Sequence, residues 1–122
     1  RCFAAVASRL VPGGRFVIEA FVPDDPPRNG DDITIRTLEA DRVVLSVSRH
    51  DAEQQLAEGQ FVEITEAAGI RLRPWSIRYA APGQLDEMAG DAGFALEHRW
   101  DGFGRAGFGP ESTRRVSVYR AP

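Results

Sequence analysis

The fold of this chain is organised around one stretch, Leu10-Val11-Pro12-Gly13-Gly14-Arg15-Phe16-Val17-Ile18-Glu19-Ala20-Phe21. Pro12 cannot continue a helix, and Gly13 or Gly14 can adopt the left-handed conformation that closes one, so a helix is predicted to end at Leu10. The apolar run 16–18 does not alternate with polar residues. Such a run is typical of a strand that is buried on both faces, as in a parallel sheet covered by helices.

Glu19 follows the apolar run, where the strand is expected to emerge from the sheet. In open α/β sheets, ligands bind in the crevice at the carboxyl ends of the strands. Glu19 and the loop after it are therefore the first candidate ligand site. The alternative is that Glu19 is a solvated strand-end residue with no further role.

Composition limits the classes of protein that this chain can belong to. Its 122 residues fit one domain, and its net charge of -3 lacks the basic excess that nucleic-acid binding needs. Cys2 is the only cysteine and has no internal disulfide partner, which fits a reducing compartment. Neither a signal peptide nor an apolar run long enough for a membrane helix is recognisable, so a cytoplasmic location is predicted.

The beginning of the chain reads as the middle of a helix. Residues 1–10 place Phe3, Val6, Ala7 and Leu10 on one face of a helix, and the first residue is Arg1. We therefore expect the chain to be a piece of a longer protein.

The middle of the chain, residues 31–80, has the period-two pattern of β-strands. An acidic, proline-rich loop at 22–32 precedes it, and this loop is either a lid or a solvated connection. Four antiparallel strands in a meander are predicted, with Pro74 marking the last strand as an edge or bulged strand. Residues 51–59 are ambiguous, because their composition favours a helix whereas their position favours a hairpin.

The last third, residues 81–122, is predicted to form a helix followed by two strands. Pro82 suits the first turn, Gly93 closes the end, and Met88 is expected to fill the core. Alternation then predicts a strand over 94–100, with His98 packed on the sheet on the same face as Leu96. A final strand over 115–120 completes a hairpin beside the strand at 15–21.

Two patterns in the sequence that could indicate a ligand or metal site give only weak signals. Gly102-Phe103-Gly104-Arg105-Ala106-Gly107 matches G-x-G-x-x-G, but no helix is expected after it, so a hairpin loop is the better interpretation than a dinucleotide site. His50 and His98 have no metal-ligand spacing with other candidate ligands, so no metal site is predicted. The His50–Asp51 pair suits a base and its orienting acid, but neighbours on a strand point to opposite faces.

In its order of parts, the sequence resembles the C-terminal half of a class I S-adenosylmethionine-dependent methyltransferase. The similarity is carried by the turn Leu10-Val11-Pro12-Gly13-Gly14 before a strand, by Tyr79-Ala80-Ala81-Pro82-Gly83-Gln84-Leu85 with Ala92-Gly93-Phe94, and by the ending 112–120. Gln84 stands where members of this family usually have an acid. The resemblance covers nearly the whole chain, with 33–77 as an inserted antiparallel β-meander.

This resemblance implies an α/β fold, the C-terminal part of a Rossmann-like methyltransferase sheet that supplies strands five to seven. The parts would be a helix end and central strand at 1–22, the insert at 31–80, and a helix with a terminal β-hairpin at 81–122. It also implies a small-molecule acceptor, S-adenosylmethionine as the cofactor of the full-length protein, and no cofactor bound by this chain alone. The glycine-rich turn and the acid that bind that cofactor have no counterpart here.

The resemblance implies that the acceptor pocket is formed by the segment after the fifth strand and by the insert. The candidate substrate-binding residues are Glu19, Phe21, Trp75, Arg78 and Tyr79. From the residues alone, Trp75 and Tyr79 either line a small-molecule pocket or fill the core. Methyl transfer often needs little beyond positioning, so no catalytic base is assigned.

Two alternatives remain open at this stage. The chain is either a half-enzyme of this kind, expected to be inactive alone, or a non-catalytic α+β module that binds a ligand or forms a homodimer through its meander. Exposed strand edges motivate the second alternative, because they recruit partners. A nucleotide-binding domain that uses 102–107 is a third, minor option.

Overall fold

The computed structural model describes all 122 residues and divides into two compact units, residues 1–23 with 80–122 and residues 24–79. The elements in chain order are α1 (Cys2–Ala7), β1 (Arg15–Phe21), β2 (Gly30–Leu38), β3 (Arg42–Asp51), β4 (Leu56–Thr65), β5 (Gly69–Arg78), α2 (Pro82–Asp91), β6 (Ala95–Trp100) and β7 (Arg114–Arg120). Neither helix is long and apolar enough to cross a bilayer.

The first unit contains a three-stranded antiparallel sheet in the order β1-β7-β6. The expectation that β1 is buried on both faces in a parallel sheet is wrong for this chain. Burial alternates along β1, and Val17 is 48% exposed while its neighbour Ile18 packs against the core. The reason is that β1 has one neighbouring strand here, and the core packs on only one face of it.

Aromatic rings form the core on that packed face. Phe3 of α1 meets Phe16 of β1 edge-on at 5.7 Å between ring centroids, and it meets Tyr119 of β7 at 5.8 Å. Phe94 and Ala89 of the α2 region complete the buried cluster. Edge-to-face rings add specific stabilisation to the apolar area that they bury, so these contacts fix both helices on the sheet.

The helix ends differ in detail from the prediction. α1 ends at Ala7, three residues before the predicted Leu10, and turns lead from there to Gly13 at φ +74°. In α2 the backbone N–H of Ala81 donates to the Gln84 side chain at 2.8 Å, and Gly93 follows the helix at φ +85°. Met88 is 44% exposed, so the expectation that it fills the core is wrong.

A β-bulge in β6 changes which residues share a face. Leu96 pairs with Tyr119 and His98 pairs with Val118, with a register shift between them. Because Tyr119 and Val118 are consecutive, Leu96 and His98 point to opposite faces of the sheet, contrary to the predicted alternation. His98 does pack on the sheet, stacked on Trp100 at 5.1 Å.

The second unit is a four-stranded antiparallel meander in the order β2-β3-β4-β5, as predicted. Residues 51–59 belong to a hairpin and not to a helix. Asp51 accepts a hydrogen bond from the Gln54 backbone at 2.9 Å, and Gln55 has φ +53°, which closes the turn. Pro74 lies in β5, an edge strand, where a missing backbone N–H is tolerated.

The two faces of this meander differ in polarity. By register, one face carries rows of aliphatic side chains from all four strands. Six large members of this apolar face are 40–72% exposed: Ile33, Ile35, Leu38, Ile64, Ile70 and Leu72. The opposite face is mixed. It carries Val44, Phe61 and Trp75 beside polar side chains such as Glu63, which accepts hydrogen bonds from Arg42 at 2.8 Å and from Arg73 at 2.6 Å.

Candidate functional site

A polar network joins α2 to the sheet in the first unit. Asp86 of α2 accepts two hydrogen bonds from Arg99 of β6, at 2.5 and 3.2 Å, and one from the Tyr119 hydroxyl at 2.7 Å. Burial alone would raise the pKa of Asp86, but the hydrogen bonds from Arg99 and Tyr119 outweigh it and hold this pKa below its usual range. The carboxylate is therefore ionised, and both of its oxygens accept hydrogen bonds.

Arg115 lies beside this network, and the prediction did not include it. Its side chain is 0% exposed and its Nη2 donates to the Ala80 carbonyl at 3.3 Å. A signal was present in the sequence, because Arg115, Ser117 and Tyr119 recur with period two on one face of a predicted strand. Arginine is rarely buried, so an arginine on the helix-packed face of a strand indicates a candidate functional residue.

Glu19 and Phe21 lie on the same side of β1 and are both exposed, Phe21 by 47%. Glu19 is two residues inside the strand and pairs with Val116, so the strand continues past the predicted emergence point. The two side chains are separated from the core face, where Ala20 pairs with Arg115.

The glycine-rich segment 102–107 is a loop that returns to the sheet, as predicted. Asp101 N–H donates to the Ala106 carbonyl at 3.0 Å, and Trp100 forms an isolated bridge with Gly107. Arg105, at φ +61°, lies over the Trp100 ring at 5.3 Å. Together with Val17 and other sheet residues, this loop borders a cavity of about 510 Å³ on the sheet face opposite to the helices.

The other three predicted residues lie in the second unit. Trp75 is half-buried and packs against Phe61 at 6.0 Å between ring centroids, so it has a core contact. It also lines a cavity of about 710 Å³. Arg78 ends β5 and is exposed, and the Tyr79 backbone N–H donates to the Gln55 carbonyl at 3.0 Å.

The 710 Å³ cavity combines an apolar surface with an excess of carboxylates. Asp31, Asp32 and Glu58 line it with a single arginine, Arg49, which binds Asp31 at 2.8 and 3.2 Å. The hydrogen bond and the charge of Arg49 hold the pKa of Asp31 below its usual range. A cavity of this size and charge suits a neutral or basic small molecule.

His50 and Asp51 have separate partners, in agreement with the expectation that neighbours on a strand point to opposite faces. Its Nε2 lies 3.1 Å from the Ser48 hydroxyl, two residues away on the same face of β3, and Asp51 binds the following turn. No group of three or more histidine, cysteine or acidic side chains is arranged to hold a metal ion, and Cys2 is an exposed free thiol.

Solved structures give a consistent comparison. Over 99% of its length the chain is similar to the CcbJ methyltransferase from Streptomyces caelestis, with 37% identity and a TM-score of 0.92, covering 52% of that protein. An S-adenosylmethionine-dependent methyltransferase from Clostridium acetobutylicum matches with 10% identity and a TM-score of 0.77 over 49% of its length. The amino pentose methyltransferase CalS10 from Micromonospora echinaspora matches with 19% identity and a TM-score of 0.60, also over 49%.

No protein-family model and no curated protein sequence matches the chain. The chain spans about half the length of the solved structures that it matches, and two of those likenesses are below 25% identity, so they show the fold alone. Its elements form a mixed, sheet-rich α/β fold that these methyltransferases share. The predicted resemblance to the C-terminal half of an S-adenosylmethionine-dependent methyltransferase is thereby confirmed.

Proposed function

We propose that this chain is the C-terminal portion of a methyltransferase that acts on a small-molecule acceptor. In this proposal β1, β6 and β7 are the fifth, sixth and seventh strands of the family sheet, and the meander is a substrate-side insert. The observation that carries it is the 37% identity to CcbJ at a TM-score of 0.92. Two further matched structures are named as sugar or amino pentose methyltransferases, which favours a small-molecule acceptor.

The residues of this chain do not fit the cofactor on their own. A dinucleotide-type or adenosyl site of this fold needs a glycine turn that leads into a helix, whose N-terminus faces the ligand. The one such motif here, 102–107, runs back to β7 without a helix. We therefore expect S-adenosylmethionine to need polypeptide beyond these 122 residues, and we derive no step through it.

The position of β1 at the edge of the sheet supports the proposal that further strands belong to this sheet. β1 is an edge strand whose neighbour in the sheet is β7, and edge strands recruit further strands. Val17 on its second face is 48% exposed, although it is large and apolar. Both features suit a larger sheet in which β1 becomes central and covered on both sides.

For the acceptor, the proposed binding residues remain Glu19, Phe21, Trp75, Arg78 and Tyr79. Trp75 has the strongest support, because it lines the 710 Å³ cavity. We propose that these residues position the acceptor, since methyl transfer depends chiefly on alignment of the reacting atoms. Aromatic walls with a few polar groups suit that task.

The test is to sequence the coding DNA upstream of Arg1 and to express the longest open frame. Calorimetric titration of the longer product with S-adenosylmethionine is expected to show micromolar binding, and the 122-residue chain, as the control, is expected to show none. Micromolar binding by the short chain would contradict the proposal. A start codon directly before Arg1 would also contradict it.

A second candidate function is self-association through the apolar face of the meander. Ile35, Leu38, Ile64, Ile70 and Leu72 leave a contiguous aliphatic surface in water, and such a surface marks an interaction site. We infer that a second copy of the chain covers it, as two aliphatic sheet faces pack on one another at about 10 Å. This function is compatible with the first one and does not require catalysis.

A further inference from the structure

The side chain of Arg115 on β7 is fully buried and incompletely bonded. Its exposed fraction is 0%, and its one hydrogen bond runs from Nη2 to the Ala80 carbonyl at 3.3 Å. The Nε and Nη1 atoms are shielded from solvent and have no acceptor. Since Nε carries one N–H and Nη1 carries two, three donors of a charged group are unsatisfied.

The neighbouring carboxylate does not fully neutralise this charge. Asp86 is already engaged by Arg99 and by Tyr119, at 2.5 and 2.7 Å on the same oxygen. Burial first, and then the like charge of Arg99, lower the pKa of Arg115. An arginine nevertheless remains protonated in proteins, and the charge of Asp86 acts on both Arg99 and Arg115, so this cluster holds one positive charge more than its carboxylate compensates.

Arg115 lies near one end of the sheet of the first unit. It is the second residue of β7 and pairs with Ala20, the second-last residue of β1. The residues above its guanidinium, 80–81, have no regular secondary structure and precede α2. Ala81 is tied to α2 by its own backbone hydrogen bonds, whereas the Ala80 carbonyl bonds Nη2 at 3.3 Å, which is longer than an ordinary N–H···O bond.

We propose that Arg115 anchors a binding site for a carboxylate-bearing small molecule, which displaces the Ala80 carbonyl from Nη2. A carboxylate supplies two acceptor oxygens in the plane that a guanidinium recognises. Its single negative charge matches the one positive charge that the cluster holds in excess. A dianion such as phosphate would leave a net negative charge buried. The site depends only on residues of this chain and not on methyl transfer.

The test uses formate as the carboxylate and the 122-residue chain. The Arg115 Nε–H resonance is followed by NMR while sodium formate replaces sodium chloride at constant ionic strength. We expect a saturable shift of this resonance, and a higher melting temperature in formate than in chloride. Arg115→Met should remove the formate effect on melting, whereas the matched control Arg114→Met, at an exposed neighbouring arginine, should retain it.

Three results would overturn the proposal. The first is a resonance that does not shift or shifts without saturating. The second is an Arg115→Met variant that formate protects as well as it protects the wild type. The third is a response to phosphate at least as large as the response to formate, which would assign the site to a dianion. If Arg115→Met does not fold, the wild-type NMR titration decides the question alone. Failure of the methyltransferase proposal would leave each of these readouts unchanged.

Discussion

Arg99 of β6 and Asp86 of α2 form a two-bond ion pair, with Nη2 to Oδ1 at 2.5 Å and Nη1 to Oδ2 at 3.2 Å. The Tyr119 hydroxyl donates to the same Oδ1 at 2.7 Å. Three consecutive elements, α2, β6 and β7, therefore meet at one carboxylate. The pair is partly shielded from water, as the Arg99 side chain is 15% exposed and the Asp86 side chain 34% exposed.

We predict that Asp86→Asn lowers the free energy of unfolding at pH 7 by about 1–3 kcal/mol, because it leaves buried donors with a weaker acceptor. Since the pKa of Asp86 is depressed in the folded state, its contribution is complete above the unfolded pKa of about 3.9 and is lost as pH falls through the lower folded pKa. Urea unfolding from pH 7 to pH 3 should therefore show the difference from wild type shrinking at the acid end. Glu87→Gln, at an exposed residue of the same helix, is the control. A difference that stays constant with pH would contradict this reasoning.

Gly59 of β4 is predicted to be intolerant of any side chain. A Cβ at this position would lie 2.9 Å from the Ser48 Cα and 3.0 Å from the Trp75 ring, and it would also clash with the Val47 carbonyl oxygen. Because backbone atoms cannot move aside cheaply, Gly59→Ala should cost about 3 kcal/mol of stability. Gly83→Ala in α2 meets nothing within 4 Å and should be neutral or stabilising. Urea midpoints of the two variants measure the contrast, and equal midpoints would refute it.

Ile35→Glu is predicted to abolish self-association, because it places a charge within the apolar face of the meander. Thr34→Glu, on the opposite face and next to Ile35, is the matched control and should leave association intact. Sedimentation velocity over a concentration series measures both variants and the wild type. A wild type that stays monomeric at every concentration, or two variants that behave alike, would disprove dimerisation through this face.

Local patterns predicted much of the fold. The alternation in 31–80 and the turn residues between its runs were enough for the four-stranded meander, because its pairs are between neighbouring strands. Pro82 and Gly93 predicted the two ends of α2, because the preferences of residues at helix ends are also local. Met88 was misplaced, since helical periodicity identifies a face but not how far the core extends along it.

The candidate site was less accessible to prediction. Trp75 was identified from its type and place, and it does line a cavity. Arg115 and its neighbours were not identified, although their period-two spacing placed them on one face. What distinguishes Arg115 is the absence of acceptors around two of its nitrogens. That property depends on how several elements pack together, so the local sequence does not predict it.

The sequence alone determined the strands of the meander, the ends of α2 near Pro82 and Gly93, and the similarity to half of a methyltransferase. These properties depend on backbone preferences and on side-chain order over a few residues. Only the tertiary structure decided that β1 pairs antiparallel with β7, that a bulge separates Leu96 from His98, and that two buried nitrogens of Arg115 have no acceptor. The physical reason is that pairing and desolvation depend on groups that lie about a hundred residues apart, as Arg15 and Arg120 do, and no local pattern records their distance.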